Sequence, residues 1–95
     1  MRSAFVYIMS NHKRGTLYTG VTGDLPARAY QHKHNVVPSY TSRYALHLLV
    51  YFEAHDDIRQ AILREKRIKR WQRKWKIELV ESMNPEWHDL YPELF

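Results

Sequence analysis

No cysteine occurs among the 95 residues, which removes disulfide staples and the thiolate ligands of a structural zinc knuckle. A chain of this length is expected to fold as one domain, residues 1–95, around a marginal core. Its stability must then come from ordinary packing, helped by a partner. Long apolar runs are also missing. The two longest, Ala4 to Met9 and Leu48 to Phe52, have six and five residues, against the ~20 that a bilayer span needs. The first is too short for a signal-peptide core, and without cysteine nothing points to an oxidising compartment. The expected location is the cytoplasm, with no membrane contact. There is no glycine-rich phosphate loop and no Gly-x-Ser-x-Gly elbow, so ATPase and serine-hydrolase readings lose their support. The six histidines form no His-Glu-x-x-His pattern. His32 and His34, two apart on an expected helix, point to opposite sides.

Charge is present and unevenly placed. From Arg59 to Lys76 there are nine basic residues and one acid, Glu65, a local charge of +8. Residues 1–58 carry +2, and residues 77–95 carry five acids with no Lys or Arg. The formal total of +5 therefore hides a strongly basic segment beside an acidic tail. Such a segment attracts polyanions, because each phosphate it neutralises releases condensed counterions. A solvated helix face is the plainer reading of the same run.

Hydropathy patterning predicts a mixed α+β chain. Ala4 to Met9 and Thr16 to Val21 are rich in β-branched and aromatic residues, and the polar stretch Ser10 to Gly15 joins them into a β-hairpin with a loop of about six residues. Strand alternation puts Phe5, Tyr7 and Met9 on one face of the first strand, and Thr16, Tyr18 and Gly20 on one face of the second. Asp24 caps a helix with Pro26 in its first turn, running to about His34. Leu25, Arg28, Ala29 and His32 share one stripe of it. Residues 35–46 read as a loop, and His47 to Glu53 as a third strand, central and buried on both faces; periodicity alone also allows a buried helix. Asp56 or Asp57 starts a basic helix to about Arg70. On it Ile58, Ala61, Ile62 and Ile68 form a stripe with Glu65 in its middle. A further helix runs from about Gln72 to Ser82, Asn84-Pro85 marks a turn, and the aromatic, acidic tail 86–95 packs back on the domain.

Polar residues thus stand at positions that should be apolar: Tyr7, Tyr18, Arg28, His32 and Glu65. Each has a plain structural reading. A strand tyrosine can be a core residue with its hydroxyl at the edge. Arg28 and Glu65 can form a structural ion pair, and a half-buried histidine can be a hydrogen-bonded packing residue. The joint pattern carries more weight than any member.

Together with their context, these residues resemble the GIY-YIG nucleases. Phe5-Val6-Tyr7 stands where Gly-Ile-Tyr is expected and Tyr18-Thr19-Gly20 where Tyr-Ile-Gly is, followed by Val21-Thr22-Gly23-Asp24-Leu25, Arg28 and Gln31-His32. Ala61-Ile62-Leu63-Arg64-Glu65-Lys66, leading into Ile68-Lys69 and Trp71, is similar as well. The likeness covers nearly the whole chain and is greatest to small stand-alone bacterial members related to the nuclease end of UvrC. Phe5, Val6 and Thr19 depart from the motifs at supporting positions. The resemblance implies a three-stranded antiparallel sheet flanked by helices and a metal-dependent endonuclease acting on DNA, with structured or damaged DNA in repair or recombination as its setting. It implies catalytic roles for Tyr7 as general base, Tyr18, Arg28, His32 as a proton relay, and Glu65 as ligand of one Mg²⁺ or Mn²⁺. Asn84 is the sole candidate for the family's late asparagine. The basic helix, through Lys66, Arg67, Lys69, Arg70, Arg73 and Lys74, would track the nucleic-acid backbone. A module that binds DNA or structured RNA without cutting is the alternative. Targeting would rest on a protein partner, and the oligomeric state is open.

Overall fold

The computed structural model describes residues 4–36 and 40–95. β1 (Ala4–Ser10) pairs antiparallel with β2 (Leu17–Thr22), and β3 (Leu48–His55) pairs antiparallel with the other edge of β1, giving the order β2-β1-β3. Tyr7 stands opposite Gly20 on one side and Phe52 on the other. The register to β3 shifts at a bulge between Ile8 and Met9. As the middle strand β1 is closed in on both faces: Val6, Tyr7, Ile8 and Met9 are fully buried.

Helices cover both faces of the sheet. α1 (Leu25–Lys33) starts at Asp24, whose carboxylate accepts from the Ala27 amide at 3.2 Å, with Pro26 in its first turn. It buries Leu25 and Ala29 against Tyr7, Met9, Leu46 and Leu49. α2 (Tyr40–Arg43) is one turn inside the segment expected to be a loop; residues 37–39 of that expectation lie outside the described residues. On the opposite face α3 (Ile58–Arg70), capped by Asp57, sets Ala61 and Ile68 on Ala4 and Val6. α4 (Arg73–Met83) sets Val80 against Ile8, Val50 and Tyr51. The expected α+β class, the three-stranded antiparallel sheet and the hairpin with its loop are all present. Among the described residues no helix is long and apolar enough to cross a membrane.

Two expectations need correction. β3 is an edge strand, not the centre. It reads as central because its free edge is covered: the Leu90 amide donates to the Leu49 carbonyl at 2.7 Å, the Leu49 amide donates to Asp89, and the Asn84 side chain donates to the Val50 carbonyl at 3.0 Å. A tail without strand conformation thus shields the exposed ladder groups that sheet edges must hide. The apolar stripe of α3 is also turned from its expected centre. Ala61 and Ile68 are buried, whereas Ile58 is 42% and Ile62 36% exposed. Glu65 therefore lies about 50° from the buried mid-line at about 100° per residue, on the flank of the stripe.

Candidate functional site

Side-chain alternation along the hairpin brings the two tyrosines to one face, and α1 adds a third ring. The ring centroids of Tyr7 and Tyr18 are 6.3 Å apart, and each lies 5.6 Å from the His32 imidazole. The Tyr7 ring lies directly over Gly20. A Cβ at Gly20 would stand 2.5 Å from the Tyr7 Cζ and hydroxyl oxygen, a separation side chains do not tolerate. Gly20 has an ordinary negative-φ backbone; its role is to leave room. The motif glycine in the second strand thereby lets the motif tyrosine of the first reach α1.

There the Tyr7 hydroxyl and His32 Nε2 share a hydrogen bond of 2.8 Å, with the Arg28 guanidinium beside the hydroxyl. Burial, followed by the neighbouring Tyr18, pushes the Tyr7 phenol above its usual range, and Arg28 opposes this only in part. Burial and the Arg28 charge together hold the His32 imidazole down at about 4, against its ordinary 6.5. At neutral pH the free site therefore holds a protonated phenol hydrogen-bonded to a neutral imidazole. Arg28 is one turn before His32 on the same stripe of α1, as the spacing predicts.

Glu65 comes from α3 on the other face of the sheet, at the side where that helix meets β2. Its side chain is 13% exposed, and the Lys69 ammonium, one turn on, lies 3.1 Å from its Oε2 and 5.9 Å from the Tyr18 ring centroid. The edge of β2 is thus straddled, with Glu65 and Lys69 on one side and Tyr18, Tyr7, Arg28 and His32 on the other. Arg28 and Glu65 do not form the structural ion pair that their types allow; Arg28 serves Tyr7 and Glu65 pairs with Lys69. The preceding residue, Arg64, points the opposite way, to Glu53 on β3 at 3.0 Å. Glu53 also accepts from Tyr51 at 2.5 Å and lies 2.6 Å from His55. Arg64 therefore fixes the rotation of α3 from one side and leaves Glu65 presented on the other.

Among the described residues no group of three or more His, Cys, Asp or Glu side chains converges. A lone carboxylate on a partly shielded flank still suits Mg²⁺ or Mn²⁺, which are commonly held by one or two carboxylates with substrate phosphates and waters filling the shell.

Asn84 stands apart from these five residues. It is buried at the C-terminal end of α4, its Nδ2 donates to the Val50 and His88 carbonyls at 3.0 and 2.8 Å, and its Oδ1 accepts from the His88 amide at 3.0 Å. Its amide is occupied in holding the tail to β3. Of the basic residues, Lys66, Arg67, Arg70 and Lys74 are exposed. Arg73, exposed as well, also ties the β-hairpin loop to α4 by donating to the Arg14 and Gly15 carbonyls. Two features were not assigned from sequence, the space-making role of Gly20 and the pairing of Lys69 with Glu65. The hairpin register carried the signal for the first and the i,i+4 spacing for the second.

Residues 3–78 match the family described as the GIY-YIG catalytic domain. The UPF0213 proteins of Staphylococcus aureus strains Mu3, Mu50 and COL are each 38% identical to the chain over 83 residues, which is 86% of this chain and 99% of the relative. No solved structure matches.

Proposed function

Because the chain belongs to the GIY-YIG catalytic-domain family, a nuclease family, we propose that it is a divalent-metal-dependent endonuclease that hydrolyses phosphodiester bonds in DNA. The observation that supports this most is the Tyr7, Tyr18, Arg28 and His32 cluster facing Glu65 across the β2 edge. Hydrolysis needs an oriented water, fixed positive charge at the phosphoryl oxygens and a stabilised leaving oxygen. Arg28 brings the fixed charge. Tyr7 takes the proton of the attacking water while its own moves along the hydrogen bond to His32. A phosphodiester anion beside the imidazole raises the basicity of His32, so the relay becomes favourable with substrate in place. Tyr18 positions the water or the scissile phosphate. Glu65 would hold the Mg²⁺ or Mn²⁺, which when bound supplies Lewis-acid stabilisation of the phosphoryl oxygens. Asn84 acts in this reading on the fold, by fixing the tail to β3. Lys66, Arg67, Arg70 and Lys74 contact the backbone of the nucleic acid, and specificity is left to nucleic-acid structure or a partner protein.

The test is one panel of labelled duplex, single-stranded, flap, junction and RNA-hairpin substrates, assayed for binding and for cleavage with Mg²⁺ and Mn²⁺. Cleavage is expected on DNA, lost in Glu65→Gln and in Arg28→Ala while both variants keep the wild-type circular dichroism. Binding without cleavage by the wild-type protein would replace the enzyme by a nucleic-acid-binding module.

A further inference from the structure

Lys69 belongs to the basic run, yet it does not behave like its neighbours. Its ammonium is drawn in over the Tyr18 ring and onto Glu65 Oε2. A solvent-exposed i,i+4 pair contributes little, but here the carboxylate side chain is only 13% exposed while that of the lysine is 49%. A carboxylate taken that far out of water needs a counter-charge, and in the free protein the ammonium is that charge. A divalent cation on the same carboxylate would face the ammonium at close range, and the two positive charges repel.

We propose that Lys69 is a positioning residue, the resident counter-ion of the metal-binding carboxylate. It holds Glu65 in its inward orientation in the free protein and competes with the divalent cation for it. An arriving phosphate relieves the competition by drawing the ammonium off, so cation loading and substrate binding are coupled. The four-carbon stem, tethered one turn from Glu65, lets the same ammonium move from carboxylate to phosphate without any change in α3. This rests on the reading of Glu65 as the metal ligand, and the experiment separates the two.

The readout is paramagnetic broadening of backbone amide signals around Glu65 during titration with Mn²⁺ alone, in ¹⁵N-labelled wild-type protein and in Lys69→Met, Lys69→Gln, Lys69→Arg and Glu65→Gln. The two neutral substitutions keep a helix-compatible stem over Tyr18, and the arginine keeps the charge. Half-broadening is expected at a Mn²⁺ concentration roughly fivefold lower in both neutral variants, the size of one partly screened charge interaction, and near the wild-type concentration in Lys69→Arg. Unchanged Mn²⁺ response in the neutral variants, with loss of response in Glu65→Gln, overturns the role of Lys69 and leaves Glu65 as ligand. An undiminished response in Glu65→Gln overturns both.

Discussion

At the scale of single residues, the site depends on one absent side chain. Gly20→Ala would put a methyl group 2.5 Å from the Tyr7 ring carbon and hydroxyl, and a buried aromatic ring has no free end to swing away. The variant is expected to lose roughly 1–3 kcal/mol of stability, as overpacked cores do, with loss of the Tyr7–His32 hydrogen bond and of cleavage. Urea unfolding and the cleavage assay measure the two effects. His32 makes a second prediction. Its folded-state value, about 4, lies below the ordinary 6.5, so between those limits the unfolded chain binds more protons than the folded one. Stability then falls as pH drops from about 6.5 towards 4, and the contribution is constant above that window. Urea midpoints measured from pH 4 to 7 should show a shallower fall in His32→Gln than in the wild type. Much of this residue-level arrangement was legible in the sequence, because a period of two aligns Tyr7 with Tyr18 and a spacing of four aligns Arg28 with His32. Lys69 was not, because a run of like charges suggests a uniform role and conceals the member whose ammonium pairs with Glu65.

At the scale of elements, α3 is positioned by contacts on both flanks. Arg64 grips Glu53 on β3, Ala61 and Ile68 fill the middle, and Glu65 faces the β2 side. The sequence revealed that the one acid of the basic run turns inward but misplaced the centre of the stripe. Ile58 and Ile62 are as apolar as Ile68, and only the tertiary placement of the sheet decides which of them it covers. The rank of β3 was hidden for a similar reason. Its edge is satisfied by side chains and amides of a non-strand tail, and no periodicity marks such a cover. Asn84 carries much of that cover through three hydrogen bonds. Asn84→Ala leaves the Val50 carbonyl unpaired in the interior, so a loss of roughly 1–3 kcal/mol is expected in urea unfolding. Cleavage should persist at temperatures where the variant remains folded.

At the scale of the whole molecule, charge and chemistry lie side by side on one helix. Arg67 and Arg70 are exposed on α3, the helix that carries Glu65. Replacing both by alanine should weaken DNA binding across unrelated sequences. It should also make the slope of log affinity against log salt shallower by roughly 0.9 for each phosphate that is no longer neutralised, as fluorescence anisotropy at several salt concentrations would show. Arg73 is expected to contribute less to this slope, because its guanidinium is already engaged by the hairpin loop. The central position of β1 also sets an order of events during synthesis. Of the two neighbours of β1, the hairpin partner ends at Thr22, whereas the other ends at His55 and Glu65 follows on α3. A nascent chain therefore carries Tyr7 and Tyr18 long before it carries the carboxylate that faces them. The proposed cutting activity is in this way withheld until α3 has been made.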